Sequence, residues 1–409
     1  PECLRQYYSQ IRQERNAPRF SRTMKLCFRL LAHIKIGTVN IITPDGRKVS
    51  FTGDFEGPEG TVIIHNDKAV RRFLTGGHRG FCEAYLKREW DSPDIAVFFE
   101  VILRNVDQMR KTFYGSPMTR AFYAFIHKFR ANSIKGSKKN ITAHYDIGND
   151  FYEKWLDPTM TYSSALFAAD TDSLERAQVN KYAAMAESME LEKGMSVLEI
   201  GCGWGGFAEY LGRNYDVNVT AVTISQAQYD YARKRIDTAG LSNKVSIVLK
   251  DYRELDGTYD RIGSIEMLEA VGEKYWPIFF KAVHSLLKDT GRAVIQTITI
   301  DDAVFPQYRK SADFIQRYIF PGGMLPSPSA LKAQISQAGL TAHSPLSFGR
   351  DYAKTLNFWK KAFQARWPEI KKDGLNNNFK RLWELYLAYC EAGFRVNRTD
   401  VIQIPLVKA

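Results

Sequence analysis

Between Val197 and Gly206 the sequence reads Val-Leu-Glu-Ile-Gly-Cys-Gly-Trp-Gly-Gly. An apolar run with β-branched residues enters a glycine-spaced turn, and Phe207-Ala208-Glu209-Tyr210-Leu211 continues with helical character. Glycines at Gly201 and Gly203 let the backbone pass under a ligand that side chains would block, so the chemistry on offer is nucleotide binding at the end of a first strand. Dinucleotide enzymes, methyltransferases and plain tight turns share this pattern, and the neighbours discriminate. Dinucleotide enzymes place a ribose-binding acid about twenty residues further on; here that place holds Val222-Thr223-Ile224-Ser225, followed by Gln228. Thr223 and Gln228 can hydrogen-bond ribose hydroxyls or an amino-acid carboxylate. Asp251-Tyr252, after the third strand, offers a ring to stack on an adenine, while an Asp capping the next helical turn explains the same pair equally well.

These residues need a sheet to position them. Patterns alternate over Met195–Ile200, a helix to about Arg213, Val217–Thr223, a helix over Gln226–Ala239, Val245–Leu249, Arg261–Met267, a helix over Tyr275–Leu287, and Arg292–Ile300. That predicts an α/β, Rossmann-like, doubly wound parallel sheet with a helical insertion, after which Val401–Val407 could close the sheet edge. Upstream, a helix over Met24–His33 precedes strands at Ile34–Ile42, Lys48–Phe51 and Thr61–His65, with Pro44-Asp45-Gly46 as the turn between the first two. Helical stretches follow at Ala69–Leu74 and Cys82–Lys87, separated by Gly76-Gly77, and then near Ile95–Arg104 and Met118–Phe129. The Gly, Ser and Lys content of Ala131–Asn140 suits an exposed linker. The expected division is therefore residues 1–130 as a smaller N-terminal α+β domain, 131–143 as linker, and 144–409 as the nucleotide-binding domain.

A chain of 409 residues, 44% hydrophobic and 25% charged, is globular and large enough for two cores. Lys and Arg number 57 against 45 Asp and Glu, a net charge of +12 that suits a polyanionic partner, either nucleic acid or anionic lipid head-groups. Charge alone does not choose. Against a nucleic-acid methyltransferase, the fourth strand ends in Glu266-Met267-Leu268-Glu269 and lacks the Asn/Asp-Pro-Pro-aromatic turn with which amino-methylating enzymes hold a flipped base. Five scattered cysteines without metal-ligand spacing fit buried thiols in a reducing cytoplasm. The most apolar run, Ile95–Leu103, is too short to span a bilayer and carries Glu100, so lipid would be met from the inner membrane surface.

Further phrases are more specific: Ala143-His144-Tyr145-Asp146-Ile147-Gly148-Asn149-Asp150-Phe151-Tyr152, Leu156-Asp157-Pro158-Thr159-Met160-Thr161-Tyr162-Ser163-Ser164, Ile265 to Gly272, Arg317 to Gly323, and Phe348 to Tyr352. Together with the glycine turn, in this order, they resemble the cyclopropane fatty acid synthase family, including the mycolic acid cyclopropane synthases and methyltransferases. The resemblance covers essentially the whole second domain. The first domain looks like the lipid-binding, sterol-carrier-like module of phospholipid-acting members.

The resemblance implies a class I methyltransferase fold and S-adenosylmethionine as cofactor, with Tyr162 and Ser163 closing over it, Gly201 and Gly203 beneath it, Thr223 and Gln228 at the ribose, and Tyr252 near the adenine. It implies an unsaturated acyl chain of membrane phospholipid as substrate, on an anionic bilayer, with a homodimer as a further expected partnership and no nucleic acid. The acyl π bond would attack the methyl and leave a carbocation, which aromatic faces stabilise by roughly 0.5–2 kcal/mol each; Tyr145 and Tyr352 lie in the matching motifs. Ring closure then needs a base. In the family this is a bicarbonate held by a Glu, a His, a Tyr and two backbone amides, and the matching positions are Glu269, Gln296, Tyr352, Ser164 and Ile298. Ser164 stands where the family has a Cys acting through its main chain, a mild exchange. Gln296 replaces the His, and an amide donates a hydrogen bond but gains no charge. Cyclopropane formation is the expected reaction, and methyl branching without ring closure is the alternative that Gln296 raises.

Overall fold

The computed structural model describes residues 20–114, 148–310 and 312–409. Tyr145, the expected linker and the expected helix over Met118–Phe129 lie outside these. The chain forms two compact units, Pro1–Asp146 with Leu375–Val396, and Ile147–Gly374 with Asn397–Ala409.

The first unit holds a sheet of order β2-β1-β3-β4, with β1 Ile36–Ile42, β2 Lys48–Thr52, β3 Phe55–Ile64 and β4 Trp90–Asp91. β1 and β2 form the expected hairpin, while β1 and β3 run parallel. The two helical stretches read around Gly76-Gly77 are one helix, Lys68–Leu86, kinked at Gly77, whose φ of 61° and ψ of −149° interrupt the helical path. The two-residue β4 escapes the sequence pattern. It is fixed by its Trp90, which is fully buried and stacked on Phe81 at 4.3 Å. The helix Asn377–Arg395 belongs to this unit although it follows most of the second in sequence: Arg381 donates to Asp91 at 2.7 Å and lies over the Tyr85 ring at 3.8 Å. Arg395 pairs with Glu100 at 3.1 Å. Among the described residues no helix is long and apolar enough to cross a membrane, and no His/Cys/Asp/Glu group could hold a metal.

The second unit holds eight strands: β5 Ser196–Ile200, β6 Asn218–Thr223, β7 Val245–Leu249, β8 Tyr259–Ile265, β9 Leu287–Ile300, β10 Leu340–Ala342, β11 Leu346–Ser347 and β12 Thr399–Lys408. Their order is β10-β12-β9-β8-β5-β6-β7, with β11 also on β12. Strands β5 to β9 are parallel. Successive residues of β5 feed opposite cores, Val197 packing with Met185, Phe207 and Val219, and Leu198 with Phe279, Phe280 and Val283. Both faces are covered, as a parallel sheet requires. β12 does not close the edge. It runs antiparallel to β9 and carries β10 on its far side, and Val401 to Leu406 are buried on both faces, a pattern unsuited to an edge strand.

Candidate functional site

The glycine turn leaves the carboxyl end of β5, beside the β5/β8 boundary where strand order reverses, the usual ligand crevice of such sheets. Gly201 and Gly203 adopt left-handed φ values of 83° and 53°. A Cβ on Gly201 would come within 2.8 Å of Met267 Cγ, so this glycine is demanded by packing. A Cβ on Gly203 would meet nothing within 4 Å, so the turn opens there onto free space, as a cofactor cradle must. Gly201 and Cys202 hold the turn by donating to the Val222 carbonyl at 3.0 and 2.9 Å. Beneath it Glu199 is buried, and burial pushes its carboxyl up to about 8. At the end of β6, Thr223 Oγ1 donates to Gln228 Oε1 at 2.9 Å and accepts from the Ser225 amide at 3.2 Å. Tyr252 is half-buried, edge-on to Phe279 at 5.7 Å. Its neighbour Asp251 does serve as a cap, accepting from the Arg253 amide at 2.9 Å.

Above this turn stands an aromatic wall. The Tyr162 ring lies 5.3 Å from Tyr152, 5.7 Å from Trp155 and 5.2 Å from Trp359. Trp204, within the glycine turn, packs on Tyr152 at 5.0 Å and donates to Asn149 Oδ1 at 2.8 Å. Tyr352 meets Trp359 edge-on at 6.0 Å. Ser163 is buried, and its hydroxyl accepts from Lys181 Nζ at 2.8 Å. Lys181 is itself wholly buried, which lowers its ammonium to about 8 against the opposing pull of Glu266, Asp157 and Glu199.

Two buried carboxylates complete the site. Glu266 Oε1 accepts from the Ser164 amide at 2.8 Å and from Gln296 Nε2 at 2.9 Å, and Oε2 accepts from the Tyr352 hydroxyl at 2.7 Å. Gln296 Oε1 accepts from Gln403 Nε2 at 3.1 Å, which fixes the amide so that its NH2 faces the carboxylate. Glu269 Oε1 accepts from the Ile298 amide at 2.5 Å and from Thr297 Oγ1 at 2.9 Å. Burial, then the charge of Glu266, raise Glu269 to about 8; burial also raises Glu266, against the bonds from Tyr352, Ser164 and Gln296. Ser164, Gln296 and Tyr352 thus come together as the resemblance implies, but around Glu266, while Ile298 serves Glu269. All the donors assigned to a bicarbonate are engaged by the chain's own carboxylates. A free bicarbonate does not fit on them with Glu266 in place.

Sequence reasoning passed over Glu266 and Lys181. The signal for Glu266 is a second acid three residues before Glu269, in a chain that has also exchanged His for Gln at 296. A lysine on a helix otherwise gives no sign that it points inward.

The family model described as mycolic acid cyclopropane synthetase matches residues 132–404. The tuberculostearic acid methyltransferase of Mycobacterium tuberculosis is 36% identical over 359 residues, covering 85% of this chain and 83% of that protein. The cyclopropane-fatty-acyl-phospholipid synthase of Escherichia coli K12 is 37% identical over 346 residues, covering 84% and 86%. A solved mycolic acid cyclopropane synthase in complex with SAH and CTAB superposes with a TM-score of 0.61 at 32% identity, covering 66% of this chain and 97% of that one.

Proposed function

Because the chain belongs to the mycolic acid cyclopropane synthetase family, and so is an S-adenosylmethionine-dependent enzyme that modifies lipid, we propose that it adds a one-carbon unit to the double bond of an unsaturated fatty acyl chain in membrane phospholipid and closes a cyclopropane ring. The observation that carries this reading is the buried carboxylate cluster of Glu266 and Glu269 set beside an open glycine turn and an aromatic wall. Such a site can hold a cation, keep water from it and then remove a proton. Bound S-adenosylmethionine supplies an electrophilic methyl on a sulfonium.

The chain's residues do the rest. Gly201 and Gly203 underlie the cofactor, Thr223 and Gln228 orient its ribose, Tyr252 flanks the adenine, and Tyr162 with Ser163 covers it. The faces of Tyr162, Tyr352 and Trp359 stabilise the acyl cation through their quadrupoles. The net charge of +12 supports docking on the anionic inner face of the membrane. Two copies of the chain in a homodimer are compatible with this docking.

One observation favours a second reading, in which the cation loses a different proton and a methyl-branched, unsaturated chain results. Gln296 is an amide that cannot take up a proton, and a relative at 36% identity carries the name tuberculostearic acid methyltransferase. Proton NMR and fragmentation mass spectrometry of lipids from cells expressing the chain separate the two. High-field ring protons support ring closure. Olefinic methyl signals without them replace it by branching, and unmodified lipid refutes both.

A further inference from the structure

We propose that Glu266 is the base of this reaction, a carboxylate built into the chain where the family resemblance implies a bound bicarbonate, so that the enzyme turns over without bicarbonate. The inference rests on the lipid one-carbon transfer proposed above and names its proton acceptor.

Three features support it. First, the Ser164 amide, Gln296 and Tyr352 all donate to Glu266 at 2.7 to 2.9 Å. The remaining donor, the Ile298 amide, is engaged by Glu269. Second, Glu266 has a left-handed φ of 51°. A residue with a side chain is disfavoured there, and such strain is kept where the surroundings over-determine the conformation, commonly at active sites. Here the strained backbone turns the carboxylate back into the cluster, and the Glu266 amide still donates to the Gln296 carbonyl at 2.8 Å. Third, a free anion gains from a cationic partner, whereas a tethered carboxylate needs only orientation. Gln296, locked by Gln403 at 3.1 Å, supplies a neutral donor of fixed direction.

The two carboxylates divide the work. Burial raises the Glu266 carboxyl, and its three hydrogen bonds, with Lys181, oppose that rise by favouring the charged form. Glu269, held up at about 8 by burial and by the neighbouring charge, is the protonated partner near neutral pH. Of the two Glu266 oxygens, Oε1 accepts two bonds and Oε2 accepts one, from Tyr352, which leaves Oε2 a lone pair for the substrate. In ring closure the proton leaves the transferred methyl for Oε2, the C–H electron pair becomes the last ring bond, and the positive charge of the acyl cation is discharged. The proton then passes from Glu266 to solvent.

The test uses the purified full chain with S-adenosylmethionine and vesicles of unsaturated phospholipid, in buffer sparged free of carbon dioxide and with bicarbonate added back. Wild type is expected to change by less than about twofold between the two conditions. Glu266→Gln keeps the shape but not the base, and is expected to lose at least about 100-fold while binding S-adenosylmethionine in calorimetry. Glu266→Gly suits the left-handed backbone and clears the carboxylate from its donors; it is expected to lose activity in carbon dioxide-free buffer and to regain it with bicarbonate or formate. Wild-type activity that collapses without bicarbonate and returns with it overturns the inference and leaves the lipid reaction standing. So does near-normal turnover by both variants in carbon dioxide-free buffer. No lipid product from wild type under either condition removes the functional reading, and this inference with it.

Discussion

Tyr352→Phe separates two things that this tyrosine does. Its hydroxyl donates to Glu266 Oε2 at 2.7 Å, and its ring stands edge-on to Trp359 at 6.0 Å. The substitution removes the first and keeps the second. A buried hydrogen bond to a charged group contributes about 1.5–3 kcal/mol, and this one favours the ionised form of Glu266, whose carboxyl burial has already raised. Without it the carboxyl rises further, so more of the enzyme carries a protonated base at any given acidic pH. The acid limb of the pH–rate profile is expected to move to higher pH. At fixed pH on that limb, kcat/KM should fall roughly 10- to 100-fold, the energy converted at about 1.4 kcal/mol per decade. On the alkaline plateau most of the loss should be recovered, because deprotonation restores the base and the ring face is unchanged. The assay is S-adenosylhomocysteine release with unsaturated phospholipid vesicles across the pH range, with lipid mass spectrometry as the product check. A uniform loss at every pH, with the limb unmoved, would refute the idea that Tyr352 acts through Glu266.

Gly203→Ala adds a methyl that touches no protein atom within 4 Å, so thermal stability should fall by only about 1–2 kcal/mol for the left-handed backbone. S-adenosylmethionine affinity should fall at least about tenfold; unchanged calorimetric affinity would place the cofactor elsewhere. Glu269→Gln tests linkage. A carboxyl raised from 4.5 to about 8 on folding stabilises below its unfolded value and loses that contribution as pH rises towards 8. The variant should therefore flatten the decline of urea stability over that window by up to about 1.4 kcal/mol per pH unit, and an equally steep decline would show that other buried acids cause it. Lys181→Met leaves Glu266, Glu199 and Asp157 without their buried cation. A cost of about 3–5 kcal/mol in urea midpoint analysis is expected, and a neutral result would mean that these acids are already uncharged. Flotation with anionic vesicles should weaken as salt is raised; salt-independent binding would remove the electrostatic part of membrane docking.

Much of the second unit is legible in sequence because its strands are apolar and β-branched and sit between clear helical periods. The span Val245–Leu249 is read to the residue, and the other strands of the parallel sheet are found. Pattern fails where geometry is non-local. β12 reads as a strand, but its place between β9 and β10 depends on partners near residues 300 and 340. Gly77 reads as a break between two helices because a kink and a loop leave the same glycine trace. The site shows the same limit. The motifs bring Ser164, Gln296 and Tyr352 to one place, yet in Glu266-Met267-Leu268-Glu269 nothing in composition says which acid they meet. The left-handed turn at Glu266 decides it, and backbone dihedrals at a strand end are set by packing that a linear pattern does not contain.

The pairing of β9 with β12 carries a consequence for folding. The glycine turn draws on β5, β6 and β7, neighbours in sequence that close small loops and can order early. The carboxylate cluster needs residues 164, 266, 296 and 352, and the Gln296 amide is oriented only once Gln403 arrives. Before β12 arrives the chain must leave this unit, supply Leu375–Val396 to the other, and return. Orientation of the base is thus tied to a contact that spans 107 residues and is made only after that excursion. A chain still on its way to the native state can hold a formed cofactor turn without an ordered proton acceptor, and the capacity to finish the reaction matures after the capacity to bind the cofactor.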